Sequence, residues 1–463
     1  GSFSGTLSGT DISANNWGQV EGRFEMTAAN GALLSETIGI DTPLSRFVLA
    51  NGGEGGVIAG GGMKLHSDLL ELANLEVLVG SFRASGDFSI VPKEGQANQI
   101  SGELEFGRLS LDPLIWPVQS DLTAEQGFGL WSAHPLDWSG LSDFSGTLVL
   151  KPSRLELADL ALSDATLNLT IVDGVVTANP VTGTLAGGRM TLAAKISGGR
   201  DASGATRQAS LDLLISTESF SIEEASQALF DKTLGQGRGD INLSLVGKGR
   251  SWLGLISSLE GAGSVTLEDG VLSGFDIALF NERVGALTSL EGVADLERET
   301  LDEGVTPFRQ IAGTLTVETG AFSFAPSVLD FPYSDKIALT ALGDLSLGRV
   351  DVEMIFPVPD AGADATVRFI VAGHARETLH HWELLPVQER VAARLLAHEA
   401  NKAGLRLTQS EIEKLLGRKP SVRDAGSVLD LPIDDGEELG GVEQNLVDAP
   451  KAPIPLRPMD RAL

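Results

Sequence analysis

The segment GHARETLHHW brings His374, His380 and His381 together, with Glu383 close by and His398 on the segment that follows. Imidazole and carboxylate are zinc ligands, but neither HExxH nor a comparable spacing occurs, and adjacent histidines on a short segment diverge. Structural or solvated histidines are therefore expected, and no metal. The acidic run DLPIDDGEEL is dense in oxygen ligands yet lacks the alternating spacing of an EF-hand, which predicts a solvated tail. The chain has no G-x-S-x-G elbow and no cysteine, so neither nucleophile chemistry nor disulfides are supported. Among 63 acidic residues some pair will always invite a glycosidase reading, and that pairing carries no signal. No phosphate-cradling G-x-x-x-x-G-K-[ST] loop is present, and no cofactor is expected.

What remains is the pattern of the apolar residues. In SLEGAGSVTLEDGVLSGFDI, Val265 and Leu267 alternate with Ser264 and Thr266, the period of a half-buried strand. Ile241, Leu243 and Leu245 share one face of DINLSLVG, and Leu315 and Val317 share one face of GTLTVETG. Phe322 and Phe324 follow on the next arm. Val352, Met354 and Phe356 continue through RVDVEMIF, then Val367 and Phe369 through ATVRFIVAG. Such faces either pack on a second sheet as a sandwich core, or line a sheet bent into an open trough that accepts acyl chains. On the second reading these fourteen residues are the candidates for lipid contact.

The rest of the chain supplies the elements that would position them. Hydrophobic residues make up 42%, so most of the chain should fold, and 55 glycines favour turns and hairpins over helices. The turns VDGVV (172–176), EDGVL (268–272) and ETGAF (318–322) are each expected to close a two-residue hairpin. Helices are predicted at 221–234, opened by a Ser221–Glu224 capping box, at 251–259 and 387–401, and at 408–417, opened by Thr408 and Glu411. The expected organisation is strands over 1–110 and a module over 111–205. That module begins with a crossover rich in Trp and Pro, where Trp116, Trp131 and Trp138 pack onto a sheet. A β-module over 206–378, a helical segment over 379–418 and a disordered acidic, Pro-rich tail over 419–463 complete it, with an exposed loop at 197–210. The predicted fold is mostly β: an elongated, twisted antiparallel sheet curved into a groove, with a few short helices and a C-terminal helical segment.

The 34 basic and 63 acidic residues give a formal charge of −29, which opposes nucleic acid as a partner and tight docking along an anionic bilayer. No run of ~18 apolar residues exists to span a membrane. Strand pattern starts at the first residue, which suggests that the sequence continues upstream.

Three segments carry a family likeness. GRGDINLSLVGKGRSWLGLISSLEGAGSVTLEDGVLSGFDI (237–277) resembles the C-terminal region of the AsmA family of bacterial envelope proteins: a Gly-terminated strand, a short helix, an S-L-x-G-x-G strand, an acidic-Gly turn and a closing G-F-D-[IL]. TPFRQIAGTLTVETGAFSF (306–324) is similar to the family's next strand pair, and residues 130–188 to its preceding module, which ends in Gly187-Gly188. Ala186 stands where members often carry an aromatic residue. The resemblance implies a repeating β-groove protein of the periplasm, anchored in the inner membrane by a segment upstream of residue 1. It also implies carriage of phospholipid toward the outer membrane in support of its assembly, possible outer-membrane or periplasmic protein partners, and no catalytic residues. A conduit makes physical sense, because exposing about thirty methylenes of a two-chain lipid costs on the order of 25 kcal/mol. The readings to set against it are a β-repeat scaffold for envelope assembly and a glycan-acting β-helix enzyme.

Overall fold

The computed structural model describes residues 2–10, 19–29, 51–52, 56–66, 69–115, 131–136, 139–198, 208–287, 289–301, 304–334, 336–361, 365–375 and 377–415. The predicted tail over 419–463, most of the loop at 197–210, and Trp116 and Trp138 lie outside the described residues. The chain divides into two compact units, Gly1–Leu395 and Leu396–Leu463.

Among the described residues, nineteen strands make up the first unit's single sheet. They begin with β1 (Ser2–Thr10), β2 (Gln19–Ala28), β3 (Val57–His66), β4 (Leu69–Val79), β5 (Phe82–Val91) and β6 (Asn98–Ser110). Next come β7 (Phe144–Leu157), β8 (Leu160–Val172), β9 (Val175–Leu185), β10 (Gly188–Ser197), β11 (Ala209–Ser221), β12 (Gly235–Gly249) and β13 (Glu260–Ser273). The last are β14 (Val305–Glu318), β15 (Ala321–Asp330), β16 (Ala338–Asp344), β17 (Arg349–Pro357), β18 (Thr366–His374) and β19 (Glu377–Glu383). Each strand pairs with the next in sequence, and among the described residues no ladder joins β1 to β19, so the sheet is open.

All pairings are antiparallel except β6–β7. A parallel pair needs a crossover, and residues 111–143 provide it. Trp131 of that crossover donates its Nε1–H to the Leu345 carbonyl at 2.8 Å, so this aromatic does dock on the sheet as expected.

Among the described residues the helices are short except α6: α1 (Asp112–Ile115), α2 (Ile222–Phe230), α3 (Trp252–Ser257), α4 (Ile277–Val284), α5 (Glu291–Thr300), α6 (Leu385–Lys402) and α7 (Gln409–Leu415). Thr408 and Glu411 form both legs of their capping box, with Glu411 N–H on Thr408 Oγ1 and Thr408 N–H on Glu411 Oε2. At α2 the Ser221 hydroxyl accepts from Glu224 N–H, but Ser221 N–H bonds the Ala186 carbonyl instead of Glu224. Only half of the predicted box forms there, because the preceding hairpin already supplies the acceptor.

Two of the three predicted hairpin turns are present. Asp173–Gly174 joins β8 to β9 and Thr319–Gly320 joins β14 to β15, all four residues at positive φ as a tight turn requires. The third is corrected: β13 runs unbroken through EDGVL, with Asp269 at φ 45° as a local irregularity inside the strand. Gly270 faces Phe308 on β14, and a Cβ there would stand 2.5 Å from the ring tip. This glycine makes room for an aromatic ring and turns nothing. Helices α4 and α5 were not anticipated, although Ile277, Phe280 and Val284 sit at i, i+3 and i+7 behind an Asp276 cap.

The sheet curls over its last strands. Phe275, two residues beyond β13, has its ring centroid 5.2 Å from Phe356 on β17, 5.4 Å from Phe369 on β18 and 5.4 Å from Trp382 on β19. In a flat sheet β13 and β19 would lie about 29 Å apart, six spacings of ~4.8 Å.

Candidate functional site

Residues directly opposite each other on paired strands share a face, so the register shows which side chains form one surface. Leu104 on β6 is opposite Leu150, which leads across successive strands to Leu167, Val181 and Leu192. Ile215, Leu243, Gly263, Leu315 and Phe324 continue the file. Ala341, Val352, Val371 and finally His380 bring it to β19. The file therefore crosses fourteen strands without an Asp, Glu, Lys or Arg.

All fourteen sequence candidates fall on this face. Leu243, Leu315, Phe324 and Val352 are members of the file. Ile241 pairs with Val265, Leu245 and Val317 both pair with Gly261, and Val317 also pairs with Phe322. Leu267 pairs with Ile311, Met354 with Phe369, and Phe356 with Val367.

Their burial differs by position along the strand. Leu245, Val317, Met354, Phe356 and Val367 are at most 5% exposed. Leu245 and Val317 pack with Leu255, Ile256 and Leu259 of the α3 region, which closes one strand end. Met354, Phe356 and Val367 pack under Ile277, Phe280 and Val284 of α4 and Val293 and Leu296 of α5, which close the other. Ile241, Leu243, Val265, Leu267, Leu315, Phe322, Phe324, Val352 and Phe369 remain half-buried. In the file itself every member from Leu192 to Val371 is half-buried. On β14 half-buried Leu315 lies between buried Gly313 and Val317, which are four residues apart and set a band about 14 Å wide at ~3.4 Å per residue.

Glycines thin this band. Gly343 lies opposite Phe322, and a Cβ there would come within 2.3 Å of the ring. Gly239 lies opposite Phe220 with a corresponding gap of 2.6 Å. Any larger residue would lift these rings off the neighbouring strand.

Among the described residues no group of three metal-ligating side chains converges. His380 and His381 pair with Val371 and Ile370 and so project to opposite faces. Two open clefts of about 500 and 720 Å³ lie beside β2–β8, where Arg23, Arg83 and Lys151 alternate with Glu25, Glu76 and Glu105. They are polar or mixed and do not coincide with the half-buried file. At the closed α4–α5 end, burial pushes the Tyr333 hydroxyl far above the usual phenol range, with Asp276 adding to the shift.

Alternation within each strand identified the β12–β18 part of this surface. It did not identify Leu167, Val181, Leu192 and Ile215 as its continuation, since register across strands is not written in any one segment. The model of the AsmA family matches residues 62–325, more than half of the chain. No curated protein and no solved structure matches it.

Proposed function

The chain belongs to the AsmA family, and we propose that it serves as a non-enzymatic conduit for phospholipid, its acyl chains lying along the half-buried apolar file. Members of the family are generally non-catalytic, and membership implies a cell-envelope setting. The long open sheet is consistent with a bridge-like lipid-transport protein. Among the described residues no helix is long and apolar enough to cross a membrane.

The observation that carries the reading is the run of half-buried positions from Leu192 to Val371, flanked by the α3 region at one strand end over β11–β15, by α4 and α5 at the other over β13–β18, and faced by no second sheet among the described residues. A sandwich core would close those positions; a solvated face would not be apolar. Nine strands, β10 to β18, give a path about 40 Å long at ~4.8 Å per spacing. That exceeds the ~30 Å hydrocarbon core of a bilayer, so both tails of a phospholipid can lie along it. Each methylene kept from water is worth about 0.8 kcal/mol.

In this reading an upstream inner-membrane anchor holds the chain in the periplasm. The path leads toward the outer membrane, directly or through protein partners, and supports outer-membrane assembly. The chain contains no nucleotide-binding loop, so it supplies a route and its partners or a lipid imbalance supply the direction. Native mass spectrometry of gently purified protein should show bound phospholipid, and the protein should speed exchange of a fluorescent phospholipid between vesicles. A lipid-free protein that leaves exchange unchanged contradicts the reading.

A further inference from the structure

The apolar file ends on β19, and the chemistry changes there. Thr378, His380 and Trp382 share the file's face, opposite Gly373, Val371 and Phe369. The acids of this strand point the other way: Glu383 pairs with Arg368, and Glu377 and His381 alternate with the three. Lys232, from the α2–β12 connection, brings its Nζ to within 3.2 Å of the Thr378 carbonyl. His380 is exposed, with its ring 6.3 Å from Phe369.

Trp382 is 6% exposed, its ring packed against Phe369 at 4.4 Å and Phe275 at 5.4 Å, and its Nε1–H has no acceptor. A buried donor without a partner is unfavourable, and native proteins seldom leave one.

We propose that β19 is the polar end of the path, where a diacyl glycerophospholipid is held by its glycerol-ester and phosphate oxygens while its tails lie on the file. This rests on the conduit reading. Trp382 Nε1–H donates to an ester carbonyl, since a neutral donor among aromatic rings suits a neutral acceptor and a phosphate there would lose its hydration. His380 always presents at least one N–H, and with Lys232 it meets the phosphate at the exposed side. Phe369, half-buried against the indole, is the side chain that turns to admit the carbonyl.

The test compares dioleoyl phosphatidylglycerol with its ether-linked analogue, which lacks both carbonyls, in competition for the full chain against a fluorescent phospholipid. The unaltered protein should prefer the ester by about fivefold, the scale of one net hydrogen bond. Trp382→Phe should erase that preference, and Lys232→Gln should weaken both lipids alike, less so in high salt. Equal binding of ester and ether lipid by the unaltered protein overturns the assignment, leaves the conduit standing, and needs no variant to fold. A preference that survives Trp382→Phe places the donor elsewhere and also overturns it. Failure to bind either lipid overturns both readings.

Discussion

Leu167 on β8 and Leu243 on β12 belong to the same cross-strand file, yet Leu167 is 8% exposed and Leu243 is half-buried. The stretch around β8 and β9 closes its apolar face among the sheet's own side chains, with Leu155, Leu162, Ala165 and Val181 in one cluster. The stretch from β10 to β18 uses helices instead, α3 at one strand end over β11–β15 and α4 with α5 at the other over β13–β18, and leaves the middle part-open. One face can therefore act as core in one region and as accessible surface in another, and only packing distinguishes them. Alternation alone cannot.

The largest expected effect lies in the closed ends. Phe280 is fully buried on α4, and Phe280→Ala should lower unfolding free energy by about 3–5 kcal/mol in denaturant titration. The contrast within the file comes next. Leu167→Ala should cost about 2–5 kcal/mol, and Leu243→Ala roughly half as much because less of its surface leaves water. Equal losses would mean that the two regions do not differ. Gly343→Val, which places a branched side chain where Phe322 lies, should cost about 1–3 kcal/mol by overpacking.

The smallest effect concerns the β6–β7 junction, where the sheet is parallel. Burial alone would raise the Glu156 carboxyl, but hydrogen bonds from Arg154 and Arg108 outweigh it and hold the group below its ordinary value of 4.5. A depressed folded pKa stabilises above the unfolded value and is lost as pH falls through the folded one. Glu156→Gln should therefore lose less stability on acidification below about pH 4 than the unaltered chain, by under ~1 kcal/mol for an ion pair at the surface. A parallel response of both proteins would remove the carboxylate from the account.

Much of this was legible in the sequence. Period-two alternation placed Ile241, Leu243 and Leu245, or Val352 and Met354, on a common face because strand geometry leaves no other arrangement. Asp173–Gly174 and Thr319–Gly320 were readable as turns for the same local reason. Asp269–Gly270 was not, since its glycine answers to Phe308 on another strand, a contact 38 residues away that no local pattern records. Likewise Met354 and Phe356 carry the same alternation as Val352, and only the presence of α4 above them makes them core. The signal for α4 lay in the spacing of Ile277, Phe280 and Val284.

A photo-crosslinking side chain at Leu315, compared with one at Val328, tests the central claim most directly. Val328 is 38% exposed on the opposite face of the sheet, more open to solvent than half-buried Leu315. With radiolabelled phospholipid and light, the account predicts lipid adducts at position 315 and almost none at 328. Equal labelling of the two positions, or none at 315, contradicts it.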